Sequence, residues 1–144
     1  MCVHIHPDRP TKAAIWTSFL VGMVMLASAA QPGWGASMVI PPAGWLGEAL
    51  VGASLLCGGG LSVMAYHRPT RVVTRTWAID ELGAWLTAGG WTAYSVIAAI
   101  AEPWAVAHWV ISMGLAVAAI ARIHAIRERR THTEDAVARL REEA

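Results

Sequence analysis

Ionisable side chains at the ends of long apolar stretches are the first residues in this chain that could do chemistry. Three of them, Glu48, Glu102 and His108, gather near the same end of these stretches. An ionisable residue in a membrane segment is costly and often functional, and a histidine near carboxylates can titrate in the physiological range. Together they could form a proton-binding or pH-sensing site. The alternative is that each lies within about one turn of the membrane interface and is solvated there.

A second group, Cys2, His4 and His6, has an alternating spacing that could hold a metal. A tail without a fourth ligand makes a weak site, so we predict no metal. The chain has no glycine-rich phosphate loop, no nucleophile beside a base and no paired carboxylates at the middle of an apolar stretch. We therefore predict no catalytic residues, no cofactor and no nucleic-acid partner, and a protein that is not an enzyme.

These residues lie in or beside four apolar blocks, each long enough to cross a hydrocarbon core of about 30 Å. Hydrophobic residues make up 56% of the chain and charged residues only 15%, which is low for a soluble domain. We predict an all-α integral membrane protein with four transmembrane helices, and the lipid bilayer as its surroundings. The spans are predicted over about 13–30, 45–66, 77–101 and 104–123, as one domain over 13–123.

Two tails flank this domain, over 1–12 and 124–144. The second tail is polar, and Thr131 with Glu134 fits a helix-capping box. We predict a separate short helix there, on the cytoplasmic side, which could bind a protein partner.

The first apolar block has a second interpretation. Its basic start, its short apolar stretch and the small residues at 27–29 also resemble a signal peptide with its cleavage site. The apolar run is slightly long for a signal peptide, so we predict a retained first span. Cleavage remains the alternative, and it would leave the other three spans in the same orientation.

The placement of the basic residues predicts the orientation. If sides alternate at each span, all eleven basic residues fall on one side and none on the other. Cytoplasmic segments carry the excess of Lys and Arg, so we predict a bacterial inner-membrane protein with both termini in the cytoplasm. The arginines that determine this topology are Arg68, Arg71, Arg75, Arg122, Arg127, Arg129 and Arg130.

Two acids, Asp80 and Glu81, lie at the same predicted interface as Arg71 and Arg75. They could pair with those arginines or with arginines of the C-terminal tail. The alternative is that they are simply first-turn acids, which suit the dipole of a helix N-terminus.

Small residues recur four positions apart in the spans, as in Gly83 with Thr87 and Gly114 with Ala118. Such stripes allow close approach of helices in lipid. They fit packing within one bundle as well as association of several copies, and the second interpretation predicts a homo-oligomer. The glycines predicted to pack are Gly58, Gly59, Gly60, Gly83, Gly89, Gly90 and Gly114.

The hairpin from Arg71 to Arg130, with its central segment GAWLTAGGWTAY over 83–94, resembles small membrane proteins of phages that infect actinobacteria, including their holins. The resemblance implies oligomerisation in the inner membrane and a lesion that releases or activates lytic enzymes. One alternative is a non-lytic interaction protein, either an anchor or a superinfection-exclusion factor. Another is a small channel or transporter subunit that uses the three ionisable residues Glu48, Glu102 and His108.

Reporter fusions test the predicted topology. Fusions after Arg75 and after Arg130 should report the cytoplasm, and fusions near Ser37 and Glu102 should report the external side, because basic segments are retained during insertion. Paired alkaline phosphatase and fluorescent-protein fusions measure this. A cytoplasmic signal at Ser37 would contradict the charge argument.

Overall fold

The computed structural model describes residues 9–30, 44–67 and 73–142, with the backbone alone at 9–11, 73–75, 140 and 141. The described residues form four α-helices and no strand. All four helices are long and apolar enough to cross a membrane, as predicted. In chain order they are α1 (Arg9–Ala30), α2 (Gly44–His67), α3 (Val73–Ala101) and α4 (Val106–Glu142).

The helices α1 and α3 begin about one turn before the predicted spans. Hydropathy marks where a chain enters the hydrocarbon, whereas a helix continues into water as long as its residues permit it. Pro10 is no obstacle, because the N–H that proline lacks has no partner in a first turn. Helix α2 begins at Gly44, whose φ of 62° is the only positive one among the described residues and which glycine adopts without strain.

The predicted separate helix in the C-terminal tail is not present. Helix α4 instead continues through the tail for 37 residues, about 55 Å. Thr131 does not cap a helix, since it lies inside α4 and its hydroxyl donates to the carbonyl of Glu128 at 2.8 Å. The physical reason is composition: from Ile123 to Thr131 the chain has neither Gly nor Pro, and Arg, Glu and Ala favour helix.

The helices pack in sequence order, α1 against α2, α2 against α3 and α3 against α4, whereas α1 and α4 contact each other much less. Neighbouring helices are antiparallel. Each helix contributes to one buried apolar cluster, which is called here the central cluster. Its residues are Met25, Val51, Leu55, Trp91 and Ala116.

Helices α2 and α3 meet backbone to backbone at Gly58 and Gly83. A Cβ atom added to Gly83 would lie 2.7 Å from the carbonyl oxygen of Gly58, and one added to Gly58 would lie 2.7 Å from that of Gly83. Neither position accepts a side chain unless the helices separate. Small residues thus have the role here that they have in lipid generally, which is to let two backbones touch.

Four further glycines lie against a neighbouring helix. Gly22 of α1 packs on the backbone of α2, where an added Cβ would lie 2.8 Å from the carbonyl oxygen of Gly52. A Cβ added to Gly52 would lie 2.9 Å from the Cβ of Met25, and one added to Gly59 would lie 2.8 Å from the backbone nitrogen of Phe19. A Cβ on Gly90 would lie 2.8 Å from a methyl carbon of Leu55. These contacts join α2 to α1 on one side and to α3 on the other.

Gly89 and Gly114 have no such neighbour. No described atom lies within 4 Å of the Cβ position of either residue, and both are exposed on the surface of the bundle. Gly60 is intermediate, since its nearest neighbour is the ring of Phe19 at 3.7 Å. Gly89 and Gly114 therefore have no packing role within the described part of a single chain.

Alanine substitutions on one helix test this division. We expect Gly83→Ala to lower the free energy of unfolding by about 1–3 kcal/mol through overpacking. We expect Gly89→Ala to leave it unchanged or raise it by up to about 1 kcal/mol, because alanine is the better helix former. Unfolding by SDS in mixed micelles, followed by tryptophan fluorescence, measures both. Equal losses would contradict the backbone contact at Gly83.

Candidate functional site

The bundle has two unlike ends. Lys12, Arg122 and Arg127 lie where α2 ends and α3 begins, which is called here the basic end. At the other end, called here the turn end, residues 102–105 join α3 to α4. The N–H of Ala105 donates to the carbonyl of Glu102 at 2.9 Å in this turn.

Asp80 of α3 binds Arg122 of α4 at the basic end. Nη2 of Arg122 donates to Oδ1 of Asp80 at 2.5 Å, and the side chains are 14% and 19% exposed. A charge-assisted hydrogen bond of this kind is short and directional, but desolvation offsets much of its Coulomb energy. Its main effect is therefore to fix the register of α4 against α3.

The neighbouring acid, Glu81, binds Arg127 of α4. One carboxylate oxygen accepts a hydrogen bond from Nε of Arg127 at 2.7 Å and lies 2.6 Å from Nη2, and the guanidinium lies 5.8 Å from the centre of the Trp85 ring. On the other side of the bundle, the ammonium of Lys12 lies 4.9 Å from the centre of the Tyr66 ring. Of the two alternatives for these acids, the structure shows pairing with arginines, and the partners are Arg122 and Arg127 of α4.

The other arginines that are predicted to determine the topology lie near the basic end or outside the described residues. Arg68 and Arg71 lie outside the described residues, and only the backbone of Arg75 is described. Arg129 and Arg130 are exposed beyond the bundle. Nε of Arg130 donates to Glu134 at 2.8 Å, and this hydrogen bond raises the pKa of the Arg130 guanidinium.

Glu48 is the most unusual residue at the turn end. It lies one turn inside α2 and its side chain is 0% exposed. Neither carboxyl oxygen has a hydrogen-bond partner among the described residues. Buried polar groups in folded proteins almost always have partners, so this carboxyl requires an explanation.

The other two members of the predicted group lie elsewhere. Glu102 and His108 are both exposed. Hydrogen bonds in this turn join backbone groups, such as the His108 N–H, which donates to the Ala105 carbonyl at 3.0 Å. The structure therefore separates the buried Glu48 from the exposed pair, and the three do not form one hydrogen-bonded site.

Three other polar side chains near the turn end are buried or partly buried. The hydroxyl of Ser95 donates to the carbonyl of Trp109 at 2.8 Å, and that of Ser112 donates to the carbonyl of His108 at 2.7 Å. The indole N–H of Trp109 has no partner among the described residues. The serine hydroxyls are therefore engaged with helix carbonyls and leave the turn end with few free donors.

Trp91 links two helices that are not neighbours in sequence. Its indole N–H donates to the hydroxyl of Ser18 on α1 at 2.9 Å, and Ser18 in turn donates to the carbonyl of Ala14 at 2.8 Å. Both side chains are buried. In an interior of low dielectric such a bond is strong and costly to leave unmade, so it holds α3 to α1 across the bundle.

A cavity of about 150 Å³ lies between this hydrogen bond and the basic end. All four helices line it. Its polar lining comes from Ser18, Ser62, Thr87 and Arg122, and the remainder is apolar, mostly alanine. Space of this size with several polar partners is large enough to hold several water molecules.

Sequence reasoning missed the Ser18–Trp91 bond and the cavity. Hydropathy carries no signal for either, because a serine scarcely changes the average of a span and a cavity depends on how helices rotate. The available signal was Trp91 itself, since a tryptophan deep in a span must find a partner for its indole N–H.

Comparison of the chain with protein families, with curated proteins and with solved structures finds no match. Function has therefore to be inferred from the geometry of the bundle.

Adjacent acid-to-amide substitutions test the two ion pairs. We expect Asp80→Asn to lower the free energy of unfolding by about 1–3 kcal/mol, because it leaves a mostly buried Arg122 without its counter-charge. We expect Glu81→Gln to cost less than about 1 kcal/mol, because Arg127 is half exposed. SDS unfolding measures both, and a larger loss for Glu81→Gln would contradict this ranking.

Proposed function

We propose that this chain is a bacterial inner-membrane protein whose copies associate through the lipid-facing surfaces of α3 and α4. At high density the assembly permeabilises the membrane, as holins do. The basic end of the bundle lies in the cytoplasm, in accordance with the excess of Lys and Arg there. The protein acts through lipid and through other copies of itself and catalyses no reaction.

The observation that carries this proposal is the position of Gly89 and Gly114. Gly90 and Leu115, which directly follow Gly89 and Gly114 in the chain, lie against the central cluster. Gly89 and Gly114 therefore lie near the middle of the bundle. Glycine at an exposed helix position lowers helix stability by about 1 kcal/mol relative to alanine. A helix of another copy that packs against each glycine gives it the role that the described residues of its own chain do not provide.

The packed interior supports a lesion made by many copies. The hydroxyls of Ser95 and Ser112 donate to backbone carbonyls, and the central cluster fills the middle of the bundle. One bundle therefore offers no continuous wet channel. Assembly of many copies is driven by concentration, which makes the onset of permeability steep.

The resemblance of the hairpin to small phage membrane proteins supports the same proposal. A second candidate is a non-lytic interaction protein. The observation that favours it is the length of α4, whose residues from Glu128 onward are exposed wherever their side chains are described. This projecting helix would offer a partner both charged and apolar side chains.

Expression in a bacterial host tests the holin-like function. We expect the wild type to collapse the membrane potential, reported by a potential-sensitive dye, above a threshold level of inserted protein. The double variant Gly89→Leu with Gly114→Leu should need about tenfold more protein, a loss of about 1.4 kcal/mol of association free energy. Ala27→Leu, at an exposed small residue of α1, is the matched control and should behave as wild type.

Crosslinking separates association from permeability. In a background that lacks Cys2 and the exposed Cys57, cysteines at Gly89 or Gly114 should crosslink between copies. Deletion after Arg130 should leave permeabilisation intact, whereas an interaction protein would lose partner binding. A normal potential at high levels of inserted wild type would contradict the holin-like function and favour the interaction protein.

A further inference from the structure

Glu48 is a buried carboxyl for which the described residues provide no partner. Its side chain is fully buried and both carboxyl oxygens lack a partner among the described residues. An ionised carboxylate without a partner is among the most unfavourable groups to bury, whereas a carboxylate that has taken up a cation is not. The residue is only about 6 Å along α2 from the start of the helix, so a small cation from the turn end has a short way to travel.

The surrounding helices offer no counter-ion. The titratable residues of α1, Arg9 and Lys12, both lie in its first turn, at the basic end. At the turn end α3 carries Tyr94, the connecting turn carries Glu102, and α4 carries His108. Glu102 and His108 are exposed. The connecting segment 31–43 has no acidic, basic or histidine residue in its sequence.

The cavity occupies the opposite half of the bundle. It reaches Arg122, which is held by Asp80 at the basic end, and its hydroxyl groups line a space large enough for water. The bundle interior thus has a polar region in each half: the Glu48 carboxyl near the turn end and the cavity near the basic end.

The central cluster separates these two polar regions. Along α2 the order from the turn end is Glu48, then Leu55 of the cluster, then Ser62 of the cavity. Each interval is about 10 Å of helix. Met25 on α1 and Trp91 on α3 likewise lie nearer the turn end than the cavity residues of their own helices. Leu55 is fully buried and closes the path.

We propose that Glu48 is a proton-binding site. Glu48 and the cavity are the two polar ends of a proton path through a single bundle, and the central cluster closes this path. A proton from water at the turn end forms an O–H bond with the carboxylate. When the cluster opens, that bond breaks and the proton passes to water in the cavity. A metal cation needs several ligands, and the described residues contain no group of three or more His, Cys, Asp or Glu side chains that could hold one.

This proposal does not depend on the self-association proposed above, because one bundle contains the whole path. The first test is labelling with dicyclohexylcarbodiimide, which enters membranes and reacts with protonated carboxylic acids. The acid proton moves to a carbodiimide nitrogen, the carboxyl oxygen bonds to the central carbon, and rearrangement gives a stable N-acylurea. Mass spectrometry of the full-length protein in detergent should find one adduct, on Glu48, that disappears in Glu48→Gln and declines as the pH rises. Labelling elsewhere, or protection by sodium at constant pH, would overturn the proton assignment.

The second test measures proton flux in vesicles reconstituted at less than one chain per vesicle. Wild type should hold a pH gradient, reported by an internal dye, whereas Leu55→Ser should dissipate it at least tenfold faster. Leu50→Ser is the matched control, since it makes the same change at a lipid-facing position of α2 and should not leak. Leu55→Ser combined with Glu48→Gln should return to the wild-type rate.

Two results of the flux experiment would overturn the proton path. One is a Leu55→Ser variant that is folded but does not leak. Helical circular dichroism and tryptophan fluorescence, which reports Trp91 hydrogen-bonded to Ser18, would show that the variant is folded. The other is a leak that Glu48→Gln leaves unchanged. If Leu55→Ser does not fold, the carbodiimide experiment decides the site without it. A failure of self-association affects neither experiment, because both read single chains.

Discussion

The bundle depends on the contact between the backbones of α2 and α3 at Gly58 and Gly83. In lipid, apolar side chains gain nothing by leaving water, so helices are held together by close packing and by the hydrogen bonds they exchange. Two glycines that face each other fix both the depth and the rotation of α2 relative to α3. That alignment brings Leu55 against Gly90 and the hydroxyl of Ser62 close to Gly83. The central cluster and the cavity follow from this alignment.

The short turn at 102–105 imposes the second alignment, that of α4 with α3. With so little chain between them, residues at equal distances from the turn lie at equal depth. Glu81 therefore reaches Arg127, whereas Arg122 lies nearer the turn and its long side chain reaches Asp80. Two of the arginines predicted to set the topology thus also hold the hairpin together. Since these pairs and the favourable composition stabilise α4 beyond the membrane, the tail continues as helix and does not form a separate element.

Sequence predicted the parts of the fold that depend on composition. Apolar length located four helices, and the placement of acids near arginines indicated the ion pairs at Asp80 and Glu81. It could not predict quantities that depend on helix rotation. Gly83 and Gly89 are equivalent in a pattern of small residues, yet one touches a backbone and the other touches nothing described. The same limit applies to Glu48, which looks like an interfacial acid in sequence but is rotated into the bundle.

Helix α3 carries glycines on two faces, and this connects the interior with the lipid-facing surface. Gly83 and Gly90 lie against α2, whereas Gly89 is exposed. Contacts within one chain form at a high effective concentration, so at low density α3 remains against α2 and the central cluster stays closed. Contacts between copies depend on density and compete only when copies are crowded. If the exposed glycines do bind other copies, crowding draws α3 outward and weakens the seam that keeps Leu55 in place. Under the proposed self-association, glycines on both faces of α3 would make a bundle that is sealed when copies are sparse and loosened when they are crowded.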